Sequence, residues 1–257
     1  MILTMIGGIS MDLVLGLSMT SGTVRWVLVE GATGEGATVD RGAFDFDATV
    51  DPDDLLDVVL VDVVDRIHAI GVTWTNQVEE TASGLLQALT ARGYANAIAV
   101  SELEAGDVLA AGIAEIADYD DVAVCIVESD AAVVAMVGAD GVTVDRIARP
   151  LDGADTVELP SSVIAMLELN EWRPDAIFVV GSAGDLELIM STLDDVTESP
   201  VFSAADADLA LARGAALASA RAVNALDATA PRLPSKVGAL SSVLVAAVIT
   251  FVVSISA

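Results

Sequence analysis

The stretch that decides the fold covers residues 175–222 and reads DAIFVVGSAGDLELIMSTLDDVTESPVFSAADADLALARGAALASARA. It begins with an apolar run that ends in the small turn residues 181–184, a pattern typical of a buried parallel strand. The sequence then predicts an amphipathic helix, a short strand at Val201 and a closing helix whose alanine-rich face, with Gly214, lets a neighbouring backbone come close. A glycine turn between a strand and a helix leaves backbone N–H groups free, and an anionic ligand can bind there.

This order of elements resembles the adenosine-binding segment of the actin-like ATPase superfamily, especially the nucleotide-binding domain of heat-shock chaperones of the 70-kilodalton class. In that family an apolar strand precedes a Gly-Gly-Ser/Thr turn, and a later helix carries Ala-x-Gly-Ala-Ala. The corresponding residues here are Val179, Val180, Gly181, Ser182 and Ala183, followed by Ala212, Arg213, Gly214, Ala215 and Ala216. Ser182 replaces the second glycine. The alternative is half of another Rossmann-like fold with alanine-rich helices.

Both halves of the chain show the same order of predicted elements: three strands, then helix, strand, helix, strand and helix. In the first half, a strand is predicted at residues 11–16, a turn at 17–22 and a helix at 51–70. Self-similarity at a period of about one hundred residues implies a duplicated domain with a cleft between its halves. The sequence therefore predicts an α/β fold, the duplicated ribonuclease-H-like two-lobed fold of actin-like ATPases, with lobes at residues 11–117 and 118–226.

The resemblance implies where a nucleotide would bind. Residues 16–21 stand at the first phosphate loop of the family, residues 127–132 at the second, and residues 181–184 at the adenosine segment. If nucleotide binding is retained, the resemblance assigns it to Gly16, Ser18, Thr20, Ser21, Glu128, Ser129, Asp130, Gly181, Ser182 and Gly184.

Several residues on which the family's chemistry depends are replaced. The family holds hydrated Mg²⁺ with carboxylates and surrounds the phosphates with glycine N–H groups. Ser18 and Val127 stand where the two phosphate loops have aspartate, and Leu103 stands where the catalytic glutamate belongs, although Glu102 and Glu104 flank it. We therefore expect no catalytic residue, no metal site and no cofactor, with weak binding of ATP and magnesium as the alternative.

Composition narrows the choice of partners. The chain has 257 residues, a net charge of -28 and a hydrophobic fraction of 54%, which is compatible with a well-packed core. Nucleic acid is excluded as a partner because an acidic surface repels phosphates. The single cysteine, Cys125, cannot form an intrachain disulfide and is predicted to be an inert thiol in a buried strand.

The C-terminal residues 237–257 (VGALSSVLVAAVITFVVSISA) carry no charge. As a helix they are about 30 Å long, enough to span a bilayer. Arg232 and the sole lysine, Lys236, precede them in a predicted linker at residues 227–236, so the preceding domain is expected in the cytoplasm. The alternative is a buried terminal helix. Residues 1–10 are expected to form an N-terminal extension, and Met11 is an alternative start.

Other candidate sites have weaker support from the sequence. His68, the only histidine, is predicted on a helix without a partner at ligand spacing, which favours a solvated or core histidine over a catalytic one. The acidic clusters at residues 51–54, 118–121 and 194–195 are predicted to be solvated helix ends, with loose Ca²⁺ binding as the alternative.

The sequence thus predicts a membrane-tethered, non-catalytic module that binds an unidentified cytoplasmic or membrane protein. Its expected location is the cytoplasmic face of the membrane, with one membrane-spanning helix at residues 237–257. The first alternative is a degenerate ATP-binding switch or chaperone-like ATPase in which nucleotide closes the lobes. The second is a self-assembling filament, which the anionic surface disfavours at low salt.

Overall fold

The computed structural model describes residues 12–46, 51–60, 66–150, 155–204 and 206–229. The predicted extension at residues 1–10 and the predicted membrane segment at residues 237–257 lie outside these ranges. Within them, no helix has both the length and the apolar character needed to cross a bilayer.

The first half of the described chain builds one five-stranded sheet. Its strands are β1 (Leu13–Thr20), β2 (Thr23–Glu30), β3 (Thr38–Asp45), β4 (Ile67–Trp74) and β5 (Ala97–Ala99). Its helices are α1 (Pro52–Val59), α2 (Glu79–Ala91) and α3 (Glu102–Ala117). The strand order is β3-β2-β1-β4-β5, where β2 pairs antiparallel with β1 and β3, and β1, β4 and β5 run parallel.

The second half builds a sheet of the same design. Its strands are β6 (Val122–Val127), β7 (Ala131–Gly138), β8 (Gly141–Ala148), β9 (Ala176–Val180) and β10 (Val201–Phe202). Its helices are α4 (Glu158–Leu169), α5 (Leu186–Val196) and α6 (Ala210–Thr229). The order β8-β7-β6-β9-β10 repeats both the sequence and the directions of the first sheet. The expected α/β fold with two equivalent sheets is therefore present.

Each half ends in a helix that packs on the sheet of the other half. Helix α3 contacts β6, β7 and β8, whereas α6 covers one face of the first sheet. On that face Ala212 and Ala216 of α6 pack against Val14, Val27 and Val29 in a buried cluster. The exchange of helices joins the two sheets, because each core is completed by residues from the other half of the chain.

Glycines make this close packing possible. A Cβ added to Gly16 in β1 would lie 1.9 Å from the carbonyl oxygen of Ala212, so no side chain fits between strand and helix. At the crossing of α3 and α6, a Cβ on Gly214 would lie 2.3 Å from the carbonyl oxygen of Ala105. The prediction that Gly214 admits a neighbouring backbone is confirmed.

The first predicted turn was placed too early in the chain. β1 continues to Thr20, because Ser18 and Thr20 pair with Arg25 and Thr23 in an antiparallel ladder instead of forming a loop. Only residues 21 and 22 form the turn, where Gly22 has a φ of +92° that suits glycine.

The predicted helix at residues 51–70 was also wrong in its second part. Helix α1 ends at Val59, and β4 begins at Ile67 in parallel register with β1, so His68 lies on a strand. The His68 ring Nε2 lies 3.0 Å from Oδ1 of Asn224 on α6. At the other end, α6 continues to Thr229, so the predicted linker at residues 227–236 begins inside a helix.

Candidate functional site

The predicted site residues of the first sheet lie on β1 and at its end. Gly16 is covered by α6 and lies within the strand, so it is not part of a loop. Ser18 follows two residues later on the same face, where it is buried between its strand partners Arg25 and Thr73. Thr20 is buried at the end of the strand, and Ser21 is exposed in the turn.

The predicted site residues of the second sheet form the β6–β7 turn. Glu128 follows β6 directly and is buried, with 3% of its surface exposed. Its backbone N–H donates to the carbonyl of Ala131, which closes the turn around Ser129 and Asp130. Asp130 is also buried, so this turn carries two carboxylates into the interior.

Glu128 links the β6–β7 turn to the β9–α5 loop. The hydroxyl of Ser182 donates a short hydrogen bond to its carboxylate. Burial raises the pKa of Glu128 to about 7, against the opposing effects of the Ser182 hydrogen bonds and of the positive charge of Arg25. Arg25 lies on β2, so a residue of the first sheet contributes to the electrostatics of this carboxylate.

The turn at residues 181–184 is less open than the sequence predicts. The N–H of Gly181 donates to the carbonyl of Ala207, and the N–H of Ala183 donates to the carbonyl of Val127. Gly181 has a φ of +122°, and a Cβ there would lie 2.1 Å from the Val127 oxygen. The glycine is therefore required for packing against β6, and two of the N–H groups expected to face a ligand are occupied. Gly184 is exposed.

An arginine that the sequence did not single out organises this end of the second sheet. Arg149 follows β8, its side chain is 1% exposed, and its guanidinium donates to the Glu128 carbonyl at 2.8 Å. The same guanidinium is paired with Asp155 at 3.1 Å and with Asp185 at 2.6 Å. The backbone N–H of Arg149 donates to the backbone carbonyl of Asp130. One side chain therefore connects the β6–β7 turn to the start of α5, and only the fold brings these residues together.

The first turn of α3 supplies a further carboxylate. Ser101 begins the helix by accepting the N–H of Glu104, and this places Glu102 in the first turn with 7% of its surface exposed. Arg146 donates to one carboxylate oxygen of Glu102 at 3.0 Å, and burial raises the pKa of this group. Leu103, which aligns with the family's catalytic glutamate, is exposed. Its neighbour Glu102 is buried and is the acidic side chain that points inward from this turn.

In the described parts of the chain, the buried side-chain polar atoms that lack a hydrogen-bond partner lie on β2, on or just after β4, in the β6–β7 turn and in the first turn of α3. They are Arg25 Nε, Thr73 Oγ1, Thr75 Oγ1, Glu102 Oε1, Ser129 Oγ and both carboxylate oxygens of Asp130. An unpaired buried polar group costs about 1–3 kcal/mol, so native proteins seldom leave several in one place. Their concentration marks this region as the candidate binding site.

The donor set does not fit a metal held in the manner of the family. Among the described residues, no group of three or more His, Cys, Asp or Glu side chains is placed to hold a metal ion. Ser18 and Val127 occupy the two positions where the family supplies aspartate, and Glu102 is already paired with Arg146. In the described part of the chain, the site therefore does not offer hydrated Mg²⁺ the pair of aspartates by which the family holds it.

The two equivalent sheets, with polar residues at their neighbouring ends, define an actin-like ATPase fold, and comparisons with solved structures confirm it. One similar structure is the activator of 2-hydroxyisocaproyl-CoA dehydratase from Clostridium difficile with bound ADPNP. It superposes with a TM-score of 0.59 and 11% sequence identity, and the match covers 87% of this chain and 100% of the activator. A Bacteroides thetaiotaomicron protein of unknown function with an actin-like ATPase fold matches at a TM-score of 0.54 and 9% identity, covering 79% and 95% of the two chains. The PilM-PilN type IV pilus biogenesis complex matches with a TM-score of 0.56 and 13% sequence identity, and the match covers 80% of this chain and 98% of the other.

The chain belongs to a family of unknown function, DUF7159, whose profile matches residues 12–230. No curated protein sequence matches it significantly. The structural likeness establishes the actin-like ATPase fold alone.

Proposed function

We propose that the chain is a non-catalytic, actin-like binding module that serves as a scaffold for a protein partner at the cytoplasmic face of a membrane. One observation carries the non-catalytic part: the two positions at which the family supplies aspartate to hold magnesium are occupied by Ser18 and Val127. Glu128 accepts from Ser182, and Glu102 is paired with Arg146. Among the described residues, the unpaired buried carboxylate oxygens of the site are those of Asp130 and Oε1 of Glu102, and they belong to no group of three side chains placed to hold a metal ion.

The charge of the site supports the same proposal. Burial keeps Glu128 partly protonated near neutral pH, and its protonated form cannot attract a metal. When it ionises, it adds negative charge beside Asp130 and Glu102, which repels a triphosphate. Arg25, the one cation of β2, acts on the Glu128 carboxylate, and a carboxylate oxygen of Asp208 lies 4.0 Å from the Nε of Arg25. An ATP anion would therefore meet little net attraction.

The membrane part of the proposal rests on the sequence. Residues 237–257 are uncharged and follow Arg232 and Lys236, an arrangement that favours a cytoplasmic domain on a single-pass anchor. Alkaline extraction of membranes from cells producing the full chain tests it. We expect the chain to stay in the membrane pellet and its deletion variant lacking 237–257 to be released. Release of the full chain would contradict the anchor.

The absence of catalysis is tested by ATP turnover of the purified full chain with magnesium. We expect phosphate release at the rate of a protein-free control. Magnesium-dependent release that Glu128→Ala abolishes would overturn the proposal.

A second candidate function is a switch that binds ATP without hydrolysing it. The observation that favours it is the set of unpaired buried atoms on both sheets, Thr73 and Thr75 on one and Ser129 and Asp130 on the other, because a polar ligand could pair with them. Ligands that bind only the native state raise the melting temperature. A rise with ATP that is lost in Asp130→Ala would support the switch, and no shift at millimolar nucleotide would eliminate it.

A further inference from the structure

The outer edge of the second sheet carries a cluster of aromatic side chains. Phe178 on β9 and Phe202 on β10 are register partners with ring centroids 5.4 Å apart, and the ring of Tyr119, just after α3, lies 6.2 Å from that of Phe202. The chain has only five phenylalanines and two tyrosines, so three of these seven rings meet here. Phe202 is 38% exposed and Tyr119 is 36% exposed. Half-exposed aromatic rings of this kind are enriched at protein interfaces.

The cluster lies beside an open strand edge. In the part of the chain that the structure describes, β10 is the last strand in the order of its sheet, and its one partner is β9. An outermost strand has unpaired backbone N–H and C=O groups, to which an extended peptide can add as a further strand. Val201 packs into the core on one side of the sheet, whereas Phe202 presents its ring on the other. A strand added at this edge would have its alternate side chains over the aromatic rings.

The surroundings of the cluster are acidic. Asp118 and Asp120 flank Tyr119 in the chain, and Glu198 precedes β10 closely. The C-terminal end of α3 adds the partial negative charge of the helix dipole, and its last turn contains no basic residue. Charge complementarity therefore requires a cationic partner. A second copy of the chain, with a net charge of -28, would bring the same acidic edge and be repelled.

We propose that β10, with Tyr119, Phe178 and Phe202, is the docking surface for an extended basic segment of the partner protein, in which lysine or arginine alternates with apolar residues. The inference rests on the proposed scaffold function and names the chemistry of its partner. The segment pairs with β10 through its backbone and places its apolar side chains against the rings. Its cationic side chains alternate with these, point to the other face of the added strand, and are attracted by the acidic residues Asp118, Asp120 and Glu198 nearby.

The test uses the purified full chain in detergent and a fluorescent peptide of alternating valine and lysine, with binding followed by anisotropy at physiological salt. We expect Phe202→Ser to weaken binding about tenfold, as for an aromatic residue at the centre of an interface. The matched control is Leu169→Ser, which removes an 85% exposed leucine from the end of α4 and should leave binding unchanged. Equal affinities of the two variants would overturn the proposal.

Two further arms separate specific docking from attraction to an acidic protein. A peptide of the same charge with proline in place of each valine cannot donate from those positions to a strand, so it should bind about tenfold more weakly. Asp118→Asn keeps a residue tolerated at the left-handed φ of 59° found there and should reduce the salt dependence of binding. Equal binding of both peptides would contradict the edge-strand mode. ATP turnover in the same preparation would contradict the non-catalytic function instead.

Discussion

The hydroxyl of Ser182 donates a hydrogen bond to the carboxylate of Glu128, and this contact joins the β6–β7 turn to the β9–α5 loop. In the family that the sequence resembles, these segments face the phosphates and the adenosine of a nucleotide. Here they bind to each other, and the contact occupies a carboxylate that could otherwise help to hold a metal. Burial of the same carboxylate, which the Ser182 contact only partly offsets, makes the site sensitive to pH.

Glu128→Gln should change how stability depends on pH. Burial raises the folded-state pKa of Glu128 to about 7, so the folded state favours the protonated carboxyl. The protonated carboxyl's contribution to the free energy of unfolding is fully present below the pKa of the unfolded state and is lost as the pH rises through about 7. Between about pH 5 and pH 8 the variant should gain up to about 3 kcal/mol relative to the original chain. Urea unfolding at several pH values measures this. The exposed Glu35→Gln is the control, and a gain that does not vary with pH would contradict the assignment.

Gly214→Ala should destabilise the crossing of α3 and α6. The new Cβ would lie 2.3 Å from the Ala105 carbonyl oxygen, and relieving this overlap costs about 1–3 kcal/mol, which exceeds the gain in helix propensity. Gly112→Ala is the matched control, because Gly112 lies in α3 with open space around it and should become more stable by up to about 1 kcal/mol. Thermal unfolding distinguishes the two, and equal melting temperatures would show that the helices do not cross at Gly214.

Arg149→Met should destabilise the protein by about 3 kcal/mol, because it leaves the carboxylates of Asp155 and Asp185 without their cation. The exposed Arg173→Met is the control and should change stability by less than about 0.5 kcal/mol. Denaturant unfolding measures both. If the two variants unfold at the same denaturant concentration, Arg149 does not connect the loops as described.

The thiol of Cys125 should react only after unfolding. It is 1% exposed within β6, and burial raises its pKa to about 12, so almost no thiolate forms at neutral pH. A thiol reagent such as dithionitrobenzoate should give no signal with the native chain and one equivalent in urea. Introducing an exposed cysteine as Glu35→Cys supplies the positive control. Rapid labelling of the native chain would mean that β6 is accessible.

Much of the fold follows from local patterns in the sequence. The apolar run before Gly181 and the small residues around Gly214 were sufficient to predict a buried strand and a closely packed helix, and both are present. The wrong predictions at Ser18, Thr20 and His68 have a shared cause. Ser18 and Thr20 have the composition of a turn, and His68 follows a helical pattern, yet all three belong to strands because β1 pairs with β2 and β4. Pairing between distant strands outweighs local preference.

The candidate site was predictable only in part. Glu128, Ser182 and Asp130 were identified from their alignment with a known family, and the structure brings Glu128 and Ser182 into contact. Arg149 was missed, because no motif surrounds it and its partners lie in three separate segments of the chain. Which flanking glutamate of α3 turns inward also depended on where the helix begins.

We propose that this actin-like fold has lost the chemistry of its phosphate site. The most direct measurement is single-turnover hydrolysis of γ-labelled ATP by excess purified full chain, with and without magnesium. The account predicts phosphate release indistinguishable from that of a protein-free control, both for the original chain and for Glu128→Ala. Magnesium-dependent release by the original chain that disappears in Glu128→Ala would contradict it.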